Sequence, residues 1–201
     1  MEFLGDGYHA VSDDRLATVV ISLEMLSRPE LRPLPTHPAW TCENIGADVA
    51  RYRELFRRVG EEYLWASRLL LTDDALHEIL SDRRVHVEAL RHDGRDEGIL
   101  ELDFRQPHEC ELTFFGLAPA LVGHGAGRWL MNRAIETAWS QPITRFWVHT
   151  CDLDHPAART FYERSGFRAF ARQVEVFEDP RVSGILPAHA APHVPRFPSP
   201  V

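Results

Sequence analysis

Leu117-Ala-Pro-Ala-Leu-Val-Gly-His-Gly-Ala-Gly-Arg128 leaves an apolar run, crosses a proline, alternates three glycines and enters a helical pattern. Gly123, Gly125 and Gly127 allow the backbone to turn tightly and to come within hydrogen-bonding distance of a ligand. The first-turn N–H groups of the following helix, with the positive end of its dipole, attract phosphate. The segment therefore reads as a pyrophosphate cradle. Two other readings compete: glycines that only close one element and open the next, or a dinucleotide fold. The dinucleotide fold is disfavoured, because GHGAGR lacks the GxGxxG spacing and sits late in the chain, behind antiparallel-looking strands.

Outward from the cradle, CELTFFGL (Cys110–Leu117) is a strand, and Gly125–Ser140 is a helix. Leu130, Met131, Ala134, Ile135 and Ala138 form the helix stripe that lies on a sheet. RFWVHTC (Arg145–Cys151) is the next strand. A helix from His155 or Pro156 to Ser165 stops at Gly166, and Phe167–Phe177 is a last long strand. Upstream, Val85–Leu90 and Gly98–Phe104 flank Asp93-Gly94 as a hairpin. A helix over Asp73–Ser81 has Thr72 or Asp73 as a cap, and another runs from Ala47 to a stop at Val59-Gly60. Ala17–Leu26 is a first strand, and residues 29–42 are a proline-rich loop. Residues 180–201 hold six prolines and no acidic side chain, and read as a tail packed on the surface or disordered. The expectation is an α/β (α+β) fold of one domain over residues 1–201, with its core at about 15–180. Its sheet is mixed, mostly antiparallel, of six or seven strands with helices on both faces.

The composition narrows the chemistry. All 22 basic residues are arginine, so no lysine is present to form a Schiff base or complete a GxxxxGKS/T loop. A net charge of −8 argues against nucleic acid and suits a cationic substrate. No apolar run is long enough for a membrane span, and no leader pattern opens the chain, so a cytoplasmic protein is expected. Cys42, Cys110 and Cys151 match neither CxxC nor a zinc ribbon, which fits reduced thiols. His149, Cys151 and His155, with Asp152 and Asp154, have a metal-like spacing. However, no fourth ligand follows in sequence, and no metal is expected.

Two ordered motifs resemble the GNAT N-acetyltransferase family. Its members place a proline soon after the fourth strand and then an Arg/Gln-x-x-Gly-x-Gly/Ala loop that opens the next helix. Here the loop is Val122-Gly-His-Gly125-Ala-Gly127, with valine in the first position. Farther on, His155-Pro-Ala-Ala158-Arg-Thr-Phe-Tyr162-Glu-Arg-Ser-Gly166-Phe167 is similar to the family's NxxAxxxYxxxGF helix, with histidine for asparagine. The resemblance implies a GNAT fold and transfer of an acetyl group from acetyl-CoA to a primary amine by direct attack. It also implies a cofactor site of Phe115, Gly116, Leu117, Val122, Gly123, His124, Gly125, Ala126, Gly127, Arg128, His155 and Ala158. Phe115, Gly116 and Leu117 would pair with the pantetheine arm like an added strand. Relatives that bind acyl-CoA without catalysis, or that use longer acyl chains or protein acceptors, are the alternatives. The partner implied is a small-molecule or peptide amine, and a homodimer is also admissible.

Amide formation from a thioester requires an uncharged amine, a carbonyl held against it, and a proton for the leaving thiolate. The motif position makes Tyr162 the acid. Glu111 is the candidate base: strand alternation puts Glu111, Thr113, Phe115 and Leu117 on one face, which would aim the carboxylate into the cleft. Glu101, Asp103, His149 and water are its competitors. Tyr63, Trp65 and Arg68 fall where the family's first helices overhang the acceptor, and are candidates for that wall.

Overall fold

A computed structural model describes residues 3–34 and 39–197. In chain order the strands and helices are β1 (Arg15–Met25), β2 (Thr41–Asn44), α1 (Val49–Gly60), α2 (Asp73–Ser81), β3 (Val85–His92) and β4 (Arg95–Asp103). They continue with β5 (Glu109–Leu117), α3 (Ala126–Ala138), β6 (Arg145–Cys151), α4 (Ala158–Arg164) and β7 (Arg168–Glu178). The seven strands form one sheet in the order β2-β3-β4-β5-β6-β1-β7. Every neighbouring pair is antiparallel except β5 with β6.

Local chemistry accounts for most boundaries. Asp48 accepts from the Arg51 N–H at 3.0 Å to start α1, and Thr72 Oγ1 accepts from the Ala75 N–H at 3.2 Å to start α2. Each satisfies a donor the helix cannot pair internally. The β3–β4 turn needs two left-handed residues, and Asp93 (φ 49°) and Gly94 (φ 77°) supply them. Thr72→Ala is expected to lower stability by about 1 kcal/mol, read from the urea midpoint, because the cap is lost while the helix stripe remains.

The sheet is covered on both faces. Tyr52, Leu55 and Phe56 of α1 and Leu76 of α2 pack on Val87, Ala89 and Ile99. On the other face, Leu130, Met131, Ala134, Ile135 and Ala138 of α3 are buried, as their spacing predicts, against Leu90, Leu100, Leu112 and Phe146.

Four expectations require correction. Within the loop expected at 29–42, Thr41 already starts β2, where it pairs with Arg91, and Trp40 is buried beside it; positions 35–38 lie outside the described residues. The helices expected from Ala47 and His155 begin at Val49 and Ala158, because Asp48 caps the first and the second is preceded by a turn closed by Ala158 N–H to His155 O. The first of these helices ends at Gly60, as its glycine suggests, and a tight 3-10 turn follows, closed by left-handed Leu64 (φ 57°).

The tail is not a surface appendage over 180–194. Arg181 is buried, donates to Asp179 at 2.7 Å, and also reaches the carbonyls of Ala190 (3.3 Å), Ala191 (3.3 Å) and Val194 (3.0 Å). A buried guanidinium with a full set of acceptors organises a segment that has no hydrophobic period. It thereby delivers Leu186, Ala190 and Ala191 to the core on the α1 face. Among the described residues no helix is long and apolar enough to cross a membrane.

Candidate active site

The site begins where two strands part. β5 and β6 pair only through Glu109↔Arg145, Cys110↔Phe146 and Glu111↔Trp147, and no pairing continues beyond them. Past that point the edge of β5 has lost its neighbour, and a cavity of about 1030 Å³ opens between the strands, lined by Leu112–Leu117 on one side and Val148 and His149 on the other.

β5 also carries a bulge. Its register with β4 shifts between Glu101↔Phe114 and Leu102↔Leu112, leaving Thr113 as the extra residue. One inserted residue reverses the faces, because side chains alternate with a period of two. Glu111 thus shares the α1 face with Phe114 and Gly116, whereas Phe115 and Leu117 pack on the α3 face. This overturns the expectation that Glu111, Thr113, Phe115 and Leu117 lie on one face. Gly116 has a separate reason to be glycine: a Cβ there would stand 2.5 Å from Val59 Cγ1. Thr113 Oγ1 is buried in the bulge without a hydrogen-bond partner.

After β5, a 3-10 turn at Pro119–Leu121 leads into the glycine loop. Gly123 (φ 86°) and Gly125 (φ 88°) are left-handed, and a Cβ on Gly123 would meet nothing within 4 Å. Backbone geometry and open space, rather than packing, select glycine there. The N–H groups of Gly123, Gly125, Ala126, Gly127 and Arg128 find no acceptor among the described residues, and Gly125 caps α3 without a side-chain bond. That is a ready anion cradle. Exposed His124 turns back to the Val122 carbonyl (3.1 Å), and exposed Val122 stands at the rim. The loop is tied to residues 29–33: Arg128 and Asn132 donate to the carbonyls of Pro33 (3.3 Å) and Arg32 (2.8 Å), and Pro29 lies against Gly166. Arg32, Arg128 and Arg164 line this end of the cavity.

Tyr162, from α4, lies within the cavity wall, its ring packed on Phe115, Phe161 and Phe167 at centroid distances of 6.3, 5.7 and 5.8 Å. No group among the described residues hydrogen-bonds its hydroxyl. Burial, with the nearby Asp154 charge, pushes that hydroxyl far above its ordinary value, so it stays protonated through the neutral range. His155 and Ala158 line the same wall, and His155 Nδ1 accepts from the Ala157 N–H at 3.1 Å.

The opposite wall comes from the segment after α1. Trp65 packs on Phe56 and Phe114 and donates to Asp154 at 3.1 Å. Tyr63 flanks it at 6.3 Å. Arg68 reaches the wall, but its charge is committed to the fully buried Glu101 at 2.5 Å, which also accepts from Tyr52 at 2.5 Å. Tyr63 and Trp65 therefore supply the aromatic lining of this wall, whereas Arg68 braces it. Glu175 and Glu178 of β7 continue the lining, giving the cavity basic side chains at the glycine-loop end and acidic ones at the other.

Of the candidate bases, Glu101 is sealed off, Asp103 is paired with Arg105 at 2.5 Å, and Glu111 lies outside the cavity wall. His149 alone among them lines the cavity, and its Nδ1 is 3.6 Å from Glu111 Oε1. His149 shares its strand face with Cys151, but among the described residues no group of three or more His, Cys, Asp or Glu is placed to hold a metal ion.

A strand edge that loses its partner in mid-sheet, a bulge beside it and an orphaned N–H cradle at a helix start thus meet around one cavity. The Acetyltransferase (GNAT) family profile matches residues 50–167, more than half of the chain. The chain belongs to the GNAT acetyltransferase family. Over 91 residues it is 33% identical to an "Uncharacterized N-acetyltransferase" of Mycobacterium bovis and to one of Mycobacterium tuberculosis. The match covers 45% of this chain and spans 58% of those relatives' length. Solved GNAT structures share its fold. A GCN5-related N-acetyltransferase from Sphaerobacter thermophilus superposes with TM-score 0.62 at 10% identity, over 81% of this chain and 52% of that one. An aminoglycoside acetyltransferase from an uncultured soil sample, in complex with sisomicin, superposes with TM-score 0.54 at 13% identity, over 63% and 87%.

Proposed function

We propose that this GNAT protein transfers an acetyl group from acetyl-CoA to a primary amine, by direct attack with both substrates bound. The observation that carries the reading is the single cavity through the gap between β5 and β6, which joins the N–H cradle on the α3 face to Tyr162 and His149. The residues present fit acetyl-CoA. Gly123–Arg128 would receive the pyrophosphate, and the unpaired edge at Phe115–Leu117 would take the amide-bearing arm as an added strand. A main-chain N–H near Leu117 would polarise the thioester carbonyl. Valine at position 122 does not weaken the argument, because the donors here are backbone groups. Tyr162 would give its proton to the departing sulfur: a buried phenol remains protonated while a thiol's ordinary value is about 8.5.

The acceptor half supports a cationic amine. Tyr63 and Trp65 offer ring faces, and Asp154, Glu175 and Glu178 set a negative field at that end. The test is thiol release from acetyl-CoA with a panel of putrescine, spermidine, sisomicin and a short peptide with a free N-terminus. Release above the hydrolysis background with at least one amine is expected, and none with any would remove the reading. Glu175→Gln should raise KM for spermidine about two- to fivefold at low salt, with kcat kept, and the difference should fade as salt screens the exposed carboxylate.

A further inference from the structure

We propose that His149 takes the proton from the acceptor amine, with Glu111 behind it as the positioning residue that holds its Nδ1–H. The proposal rests on the acyl-transfer reading of the same cavity and assigns the step that reading leaves open. β6 sets Trp147, His149 and Cys151 on the α1 face, while Phe146 and Val148 enter the core on the other. Trp147 is the partner of Glu111 in the last rung before the strands separate, so His149 stands one alternation beyond, at the mouth of the gap. The imidazole reaches the cavity that Glu111 does not.

The contact is made through one particular ring nitrogen. Nδ1 lies 3.6 Å from Glu111 Oε1, an ion-pair distance slightly longer than a direct hydrogen bond. A carboxylate on that side favours the tautomer with hydrogen on Nδ1 and leaves the lone pair on Nε2. The charges facing the ring come from three elements: Glu111 on β5, Asp154 after β6 and Glu175 on β7. β1 places only uncharged Ser22 opposite it. The Glu111 contact raises His149 above the ordinary imidazole value, burial opposes this, and the charges of Glu111, Asp154 and Glu175 add to the rise. Asp154 is already engaged by Trp65, Thr150 (2.7 Å) and the Cys151 N–H (3.0 Å), which leaves Glu111 as the carboxylate in contact. A base lifted towards neutrality is better matched to an ammonium proton than a free carboxylate would be.

The protons balance. The bound ammonium gives one proton to Nε2, and its freed lone pair forms the N–C bond while the C–S bond breaks and its electron pair leaves with sulfur. Tyr162 gives the sulfur its proton and regains one from the nitrogen as the amide forms. His149 passes its own proton to water, so each turnover releases one.

The test uses the full chain with 15N-labelled histidine, the His149 signals being assigned by their loss in His149→Gln. Glu111→Gln should move the His149 titration to lower pH and disturb the Nδ1–H tautomer, and Glu111→Asp should restore most of both. Adding spermidine should shift the wild-type His149 signals. A titration and tautomer unmoved by Glu111→Gln would overturn the positioning role, and no response to spermidine would overturn the contact with the amine. In the thiol-release assay, His149→Gln should lower kcat about 10²-fold or more. Glu111→Gln should shift the acidic limb of kcat/KM to lower pH, because a His149 without its carboxylate becomes neutral sooner. Full turnover by folded His149→Gln would sink the assignment. A wild type with no turnover on any amine would instead count against acyl transfer itself, while the titrations would still decide the Glu111–His149 pair.

Discussion

Gly125→Glu is expected to abolish CoA binding, a loss of more than about a hundredfold, in a chain that still folds. Gly125 is the left-handed residue (φ 88°) at the start of α3, amid N–H groups that have no acceptor among the described residues. Gly125 lines the cavity, so a glutamate there would bring bulk and charge to the proposed pyrophosphate site. Its carboxylate adds like-charge repulsion worth several kcal/mol, and each 1.4 kcal/mol is about tenfold in affinity. The left-handed conformation costs any L side chain roughly 1–2 kcal/mol, which a folded domain can absorb. Gly125→Ala separates the two effects, since it carries the same strain without the charge or the reach. Its melting temperature should fall about as much as that of Gly125→Glu, while most of its affinity is kept. Titration calorimetry on both variants, beside thermal melts, reads the outcome. Unchanged affinity in folded Gly125→Glu would take the glycine loop out of the site.

Much of this site is legible because its parts are local. The cradle needs only glycines at alternate positions and a helix start. The α3 stripe needs only spacing, the Thr72 cap one hydroxyl, and the β3–β4 turn one Asp-Gly pair. What is not local is harder to read. The bulge at Thr113 falls inside CELTFFGL with no glycine or proline at the inserted residue, so alternation carries Glu111 onto the wrong face. From there the strand's geometry alone cannot reveal that His149, 38 positions later, stands between Glu111 and the cavity.

Pairings that follow no regular spacing hide roles in the same way. Arg68 resembles an acceptor contact until Glu101, fully buried, claims its charge. A tail of six prolines and no periodic pattern gives no sign that Arg181 and Asp179 will fold it against the core. Gly116 is invisible for a further reason: its constraint is the approach of Val59 from α1, not its own conformation. In each case the missing information is the partner: Glu101 lies 33 positions from Arg68 and Val59 lies 57 from Gly116, while Arg181 is held by nearby carbonyls in a segment with no period to announce them.

Tyr162→Phe should lower turnover by about 10²- to 10⁴-fold while leaving acetyl-CoA affinity and stability nearly unchanged. The ring makes edge contacts with Phe115, Phe161 and Phe167, all of which phenylalanine keeps. The hydroxyl has no hydrogen-bond partner among the described residues, so no protein group is left unsatisfied when it is removed. What disappears is a proton donor at the cavity wall, and general acid catalysis is worth about 10²- to 10⁴-fold. Because burial holds the phenol protonated well past neutrality, the loss should be uniform across pH 6–9, the plateau falling without movement of the acidic limb. That uniformity distinguishes the variant from Glu111→Gln, which should move the limb. Steady-state thiol release with the accepted amine, run beside calorimetry with acetyl-CoA and a thermal melt, measures all three quantities. A folded Tyr162→Phe chain with full turnover, when chemistry rather than product release limits the rate, would mean that sulfur departs unassisted or takes its proton from water. The cavity and its N–H cradle would then still argue for the thioester, and the acid would have to be sought elsewhere along its wall.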